Sequence, residues 1–502
     1  MAEPTGQFSI AFDDGSLVWA PAWTSLAQDY PNLVTSYTID RGRQYELDHT
    51  DVGRATVTIA DIDGVLDPTN ADGPFFGRIH PFHQAAIARW NPVTDDWWTR
   101  FRGFVENYSY DFDSSQQVNR LTVTLIDLQG LLSTIEMVPG LFGIDTTGTS
   151  AAGQIGFPIQ NMDQRIEAVL GDAGIPDEFA IVFSGNVELH ANVYSPAETV
   201  MTVIQDAADA EFPGVANAYV DRLGRLAVHG RLAKFDPVTT WENNFYPAWS
   251  SSTAYVTGDK VMSASVAYLC VLAHTNHIPP NATYWDQINL KWDFGQWTVG
   301  DGAAVHAAPS DTAQVRAFAY ETGVSKLINS ALTTPIGIQD TDVVTGTPIS
   351  LGGDVYSDGQ HVFDTGSIAS YGYRSWSAQN LITKRGLVDS STDLVETQRF
   401  GQYYVTNYSE ARNRITTITF RSMSPTDPRA AHNWELLSKV DIADIVTVTV
   451  QSPGGGGFSA EEFYVEGIHE QVNPLNSNYD DVTLSLDLSP KAYYTTNPFP
   501  GP

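Results

Sequence analysis

Apolar and polar residues alternate with a period of two along much of the chain. Ala55, Val57 and Ile59 alternate with Thr56 and Thr58, and Leu121, Val123 and Leu125 with Thr122 and Thr124. Val446, Val448 and Val450 alternate with Thr447 and Thr449, and Val482, Leu484, Leu486 and Leu488 with Thr483, Ser485 and Asp487. A period of two marks strands with one buried and one wet face. Threonine suits the wet side because its branched β-carbon fits the pleat. Such strands build antiparallel sandwiches or barrels.

Helices are fewer. Ser195-Pro196-Ala197-Glu198 reads as a capping-box start. The stripe Val200, Val203, Ile204, Ala207 and Ala208 follows, and Phe212-Pro213-Gly214 ends it. Gln164 to Gly171 reads as a second helix, with Ile166, Val169 and Leu170 on one face. A third starts at Asp427-Pro428 and carries Ala431, Trp434 and Leu437, and a fourth falls within 391–408. The string AYVDRLGRLAVHGR (218–231) reads as a hairpin turning at Leu223-Gly224. Residues 156–235 therefore form a small α/β unit between β regions. Candidate linkers are 146–154 and the stretch around Gly300-Asp301-Gly302. Gly454 to Gly457 reads as a hairpin tip.

The 502 residues exceed the roughly 250–300 at which one core stops growing, so several domains are expected. Charged residues make up 17%, below the roughly 25% usual for soluble domains. The formal charge is −32, which argues against duplex binding through a basic face. It serves solubility, or a channel through which DNA passes without sticking, since like charges repel. One cysteine, Cys270, excludes an intrachain disulfide and fits assembly in a reducing cytoplasm. The first residues lack a secretory signal's basic start and apolar run. No run of about 18 apolar residues exists to span a membrane.

Several strings recur in an order that resembles the first domain of minor tail proteins from long-tailed phages of actinobacteria. They are Arg41-Gly42-Arg43, RATVTIAD (54–61), Leu66-Asp67-Pro68, and Phe101-Arg102-Gly103-Phe104 after a tryptophan-rich hairpin. Residues 436–490, with LLSKVDIADIVTVTV, EEFYVEGIHEQVNP and DVTLSLDLSP, resemble the closing strands of a second barrel of such a hub, beginning near Ser325 to Asn329. The resemblance implies a mainly β fold with a small α/β part: a first tube-type antiparallel barrel over 1–145, a small α/β domain over 146–240, and a second barrel over 301–502. It implies a structural tail-tip or baseplate-hub protein, made in the host cytoplasm, that continues and closes the tail tube and forms part of the DNA ejection channel. Implied partners are two further copies in a homotrimer, the distal tail, tape measure and tip or receptor-binding proteins, and DNA in transit. A distal-tail or receptor-binding adaptor, or a glycan-degrading tail enzyme, is the alternative.

Residues 241–300, with a core at 244–289, resemble the carbohydrate-binding modules of families five and twelve. Trp249, Tyr255, Gly258-Asp259-Lys260-Val261, Tyr268, Pro279-Pro280 and Tyr284-Trp285 carry the likeness. It implies contact of Trp249, Tyr255, Tyr268 and Trp285 with cell-envelope glycan. The tryptophan that often follows the Tyr268 strand is missing, replaced by Ala273 to His277. The same four aromatics could instead be the core of a very small domain.

No HExxH, GxSxG or P-loop is present, so no enzyme, cofactor or metal is expected. Asp61 to Asp67 is acid-rich, but its glycine falls fourth rather than sixth for a calcium loop, and a turn is the simpler reading. A pairing of Cys270 with His274 is the one nucleophile arrangement on offer. His190, His229 and His306 read as ordinary histidines.

Overall fold

The computed structural model describes residues 6–30, 33–113, 118–139, 141–142, 155–183, 185, 188–235, 249–257, 259–263, 266–288, 295–307, 311–335, 360–382, 396–452, 454–473, 479–495 and 498. Strand accounts for 41% and helix for 19%, the reverse of the usual balance, so the protein is mainly β.

Fourteen strands join in one sheet. The first seven are β1 (Phe8–Ile10), β2 (Thr24–Ser25), β3 (Val34–Gly42), β4 (Asp51–Asp61), β5 (Gln84–Asn91), β6 (Asp96–Asp113) and β7 (Val118–Ile126). The others are β8 (Gln296–Gly300), β9 (Ala313–Gln314), β10 (Ala317–Glu321), β11 (Arg414–Arg421), β12 (Ile445–Gln451), β13 (Gly457–Asn473) and β14 (Asp481–Pro490). The alternating residues behave as their pattern requires: Ala55, Val57, Ile59, Leu121, Val123, Leu125, Val446, Val448, Val482, Leu484 and Leu486 are buried in one core that runs through both halves.

Two β units within this sheet share one topology. The first has the order β3-β4-β7-β6-β5 and the second β10-β11-β14-β13-β12, with every pair antiparallel. Irregularities coincide in two of the ladders, whereas β3–β4 shifts at Val34/Ser36 and Asp40/Gly42 and β10–β11 at Ala319/Tyr320. The β5–β6 ladder shifts between Ile87 and Ala88, and β12–β13 between Val448 and Val450. The β6–β7 ladder shifts between Val105 and Asn107, and β13–β14 between Val465 and Gly467. Glu106 and Glu466 are thus the extra residues of matching bulges. A left-handed residue precedes the third strand of each unit, Phe82 (φ 66°) and Ala443 (φ 70°). Each donates its N–H across 2.7 Å to the valine before the bulge, Phe82 to Val105 and Ala443 to Val465. Five strands in the same order, with two matching bulges, make the second unit a structural duplicate of the first.

Two separate barrels were expected. Instead the units join edge to edge, because β3 pairs with Gly467–Val472 of β13. Among the described residues no ladder closes on itself into a barrel. The span 301–502 also holds a second α/β unit. There Ser330–Pro335 lies between Gln360–Phe363 (antiparallel) and Ser375–Leu381 (parallel), with the helix Glu396–Tyr408 packed on them. Ser325 to Asn329 therefore leads into this unit, and the second β unit has already begun at β10. The first α/β unit combines the helices Met162–Asp172 and Val200–Glu211 with the hairpin Asn217–Val220/Leu226–His229, which turns at Leu223-Gly224 as expected. The two α/β units share a second core. Phe212 stacks on Phe400 with ring centres 5.0 Å apart, and Tyr404 donates to the Pro213 carbonyl.

Several local expectations shift. The helix begins at Val200 with Thr199 as its cap, because Ala197 takes φ 82° and Ser195–Glu198 forms a turn instead. The helix Ala430–Lys439 buries Ala430 rather than Ala431, alongside Trp434 and Leu437. Gly300-Asp301-Gly302 is no linker: Gly300 pairs in β8 and Gly302 opens a helix. The tip at Gly454 to Gly457 does join β12 to β13. The linker 146–154 and residues 391–395 lie outside the described residues.

Candidate functional site

The seam between the two β units is the most elaborately built place in the chain. Arg43 N–H donates to the Glu466 carbonyl at 2.9 Å, and the register runs from Gly42–Gly467 to Tyr37–Val472. Gly42 sits at φ +93°, where a β-carbon would stand 2.2 Å from the Glu466 carbonyl oxygen. Only glycine tolerates both that backbone and that approach. Tyr37 and Ile39 of β3, and Ile468 and Val472 of β13, are all buried.

Charged side chains lie beneath this seam, each paired across a long stretch of sequence. Glu466 accepts from Arg43 Nε at 2.9 Å and pairs with Lys234, while the Ser489 hydroxyl donates to it. Burial alone would raise its carboxyl, but the two cations outweigh that and hold it at about 2. The Arg43 guanidinium also donates to the carbonyls of Asp48 (2.7 Å) and Gly214 (3.0 Å). Arg41 meets Asp441 at 2.8 Å. Arg89 and Arg100 share Glu470, and both donate to carbonyls at the end of the helix Ala430–Lys439. A helix C-terminus carries partial negative charge, so two buried cations there are favourable. These pairs tie the first β unit, the first α/β unit and the second β unit into one body.

The outer side of the seam carries His469, held between Asp40 (2.9 Å) and Asp487 (2.8 Å). Hydrogen bonds to the two carboxylates raise its imidazole to about 10.

Two of the sheet's open strand edges carry exposed aromatics. β10 pairs with β11 on one side, and among the described residues nothing pairs with the other. Beyond Val105, β6 keeps β7 on one side and, among the described residues, no strand on the other. Tyr320 on β10 is 52% exposed and Phe112 on β6 is 61% exposed, although both lie on the faces that point inward elsewhere.

No family model matches this sequence, and neither does any curated protein. Several solved structures are similar, among them the following three. A tail protein from Neisseria meningitidis aligns with TM-score 0.46 at 10% identity, over 97% of this chain and 98% of that one. Prophage tail protein gp18 from Listeria monocytogenes gives 0.41 at 7% identity, over 95% and 94%. An Escherichia coli type VI secretion component that resembles bacteriophage T4 tail proteins gp27 and gp5 gives 0.35 at 9% identity, over 91% and 74%.

The four aromatics named as glycan contacts do come together, but as a core. Tyr255, Tyr268 and Trp285 are at most 6% exposed, and Trp249 packs against them. Trp285 donates its ring N–H to the His277 carbonyl at 2.7 Å, and the Tyr255 and Trp285 rings meet edge to face. Tyr255, Tyr268 and Trp285 are buried, whereas Trp249 is half-buried. Strands Lys260–Ser263, Val266–Cys270 and Trp285–Ile288 build the module around them. The Cys270 thiol donates to the Leu272 carbonyl rather than meeting His274, and burial raises it further from thiolate. In the acid-rich turn the Asp61 carboxylate accepts from the backbone N–H groups of Val65 (2.7 Å) and Leu66 (2.9 Å). His229 is buried against Tyr219, and burial pushes it down to about 3, so it stays neutral. Arg89, Arg100, Glu466 and Glu470 were not singled out from sequence. A charged residue at an inward position of an alternating strand was the available signal.

Proposed function

We propose that this protein is a structural subunit of a bacteriophage tail tip, three copies of which form a ring that continues and closes the tail tube around the path of the ejected DNA. The observation that carries this reading is the duplicated β unit, joined to its twin through a paired strand. A tube wall needs that kind of joint, because each block must present complementary edges to its neighbours. The ordered tail-protein strings of the sequence support the same reading. The charge of −32 suits a wall that DNA must slide past. Neighbouring tail proteins would stack above and below the ring. The module around Trp249 to Ile288 would sit on its outside, where contact with cell-envelope glycan would use surfaces other than the buried Tyr255, Tyr268 and Trp285.

Labelling the chain in intact virions and counting copies around the tail axis tests this. Three copies at the tip are expected. Six copies would favour a distal-tail adaptor, and absence from the tail would overturn the proposal. Deleting 244–289 should leave tail assembly intact and alter adsorption; loss of assembly would contradict an outside position for the module.

A further inference from the structure

The duplication gives each strand of the first unit a counterpart in the second. Phe104-Val105-Glu106-Asn107 corresponds to Tyr464-Val465-Glu466-Gly467, and Ile39-Asp40-Arg41-Gly42 to Tyr320-Glu321-Thr322-Gly323. Arg54 and Arg414 occupy matching places opposite Asp40 and Glu321. Within the chain, the first strand of unit one (β3) is joined to the far half of the long strand of unit two (β13). The corresponding first strand of unit two is β10, and the corresponding far half of the long strand of unit one is Asn107–Phe112 of β6. Both of these edges are open among the described residues.

We infer that β10 of one chain pairs antiparallel with the free edge of β6 in a second copy of this chain, repeating the internal seam between subunits. Carrying over the register of Tyr37–Val472 and Ile39–Glu470 sets Phe318 opposite Phe112, Ala319 opposite Asp111, Tyr320 opposite Tyr110 and Glu321 opposite Ser109. The side chains fit that arrangement. Ile39 and Val472 are at most 1% exposed in the internal seam, whereas their counterparts Tyr320 and Phe112 are 52% and 61% exposed; Tyr37 is 1% exposed and its counterpart Phe318 is half-buried. Opposed aromatic pairs are among the stabilising cross-strand pairs of antiparallel sheets. An unpaired edge bearing exposed aromatics is otherwise an aggregation hazard. The joint is heterologous, with β10 meeting β6 and never β10 meeting β10, so copies add head to tail until the ring closes. The inference deepens the tail-ring reading and rests on it only for that closure.

Cysteine cross-linking of the full chain tests the pairing. Arg43 and Glu466 form a hydrogen-bonded pair in the internal ladder, so the alternation makes Thr38–Gln471 a closely spaced, non-hydrogen-bonded pair. The counterpart pair, Ala319 and Asp111, is therefore at disulfide distance. The native Cys270 is buried. Chains carrying Ala319→Cys mixed with chains carrying Asp111→Cys should cross-link under mild oxidation, and neither variant alone should. Tyr320→Lys should reduce that cross-link about tenfold or more while hydrogen exchange still shows the Tyr37–Gly42 backbone protected, which separates lost pairing from lost folding. No cross-link in the mixture, or an equal one within a single variant, would overturn the inference. A ring of three chains seen by native mass spectrometry without the cross-link would overturn this pairing and leave the tail reading standing. A chain present as one copy per virion would overturn both.

Discussion

Glu106 and Glu466 occupy the same bulge in two copies of one β unit, each after a valine, and they differ in almost everything else. Glu466 is buried and faces Arg43 and Lys234. Glu106 is exposed and meets Arg54 across 2.7 Å, with both side chains at least 40% exposed. Local geometry therefore does not decide what a charged side chain contributes. What decides it is whether a neighbour has arrived to cover the edge. In the covered copy the bulge aims a carboxylate at two cations from other parts of the chain. In the open copy the same bulge leaves it in water.

The largest test removes the carboxylate from each copy. Glu466→Ala leaves Arg43 and Lys234 buried with one acceptor fewer, and breaking a buried pair typically costs about 3–5 kcal/mol. Glu106→Ala removes an exposed pair and should change stability by about 0–1 kcal/mol. Thermal unfolding of the two variants measures the difference. Comparable shifts would mean that burial does not distinguish the two bulges.

A backbone test comes next. Gly42→Ala forces a side chain into a left-handed residue that abuts the Glu466 carbonyl, and should cost more than about 1 kcal/mol. Its counterpart Gly323 has no atom nearer than 3.9 Å to a built β-carbon and no left-handed backbone, so Gly323→Ala should be close to neutral in the separate chain. A native-like melting curve for Gly42→Ala would mean the seam is looser than its geometry implies.

The strands were legible in sequence because alternation is local: Ala55-Val57-Ile59 and Val482-Leu484-Leu486 need nothing beyond their neighbours to show which face is wet. The hairpin at Leu223-Gly224 and the helix containing Trp434 were legible for the same reason. The seam was not. Arg41 and Arg43 stood out as part of a family string, but their partners Asp441 and Glu466 lie about 400 residues on. No periodicity connects positions that meet only when two β units dock. The second α/β unit was missed because it interrupts the second β unit between β10 and β11, and its strands are short and weakly alternating. The four module aromatics were recognised as belonging together. Sequence spacing could not say whether their faces point inward or out, and packing buried Tyr255, Tyr268 and Trp285 while leaving Trp249 half-buried.

The smallest test uses a group present on only one side of the comparison. His469 stands at the seam between Asp40 and Asp487, and the matching position on β6 is Ser109, which does not titrate. The two carboxylates favour the imidazolium, so the folded value of about 10 lies above the roughly 6.5 of an unfolded histidine. A raised value means that folding binds the proton more tightly. The stabilisation is then complete below about pH 6.5 and fades as the pH climbs towards 10. Because about half of the side chain is in water, solvent screening keeps the effect on the order of 1 kcal/mol or less. Unfolding midpoints measured from pH 6 to pH 10 should therefore fall more steeply for the native chain than for His469→Ser, the residue that the duplicate unit uses. Parallel profiles for the two chains would show that the carboxylates on either side of the seam do not act through this histidine. A steeper native profile would show that the covered copy of the unit has acquired a titrating clip that its open twin lacks.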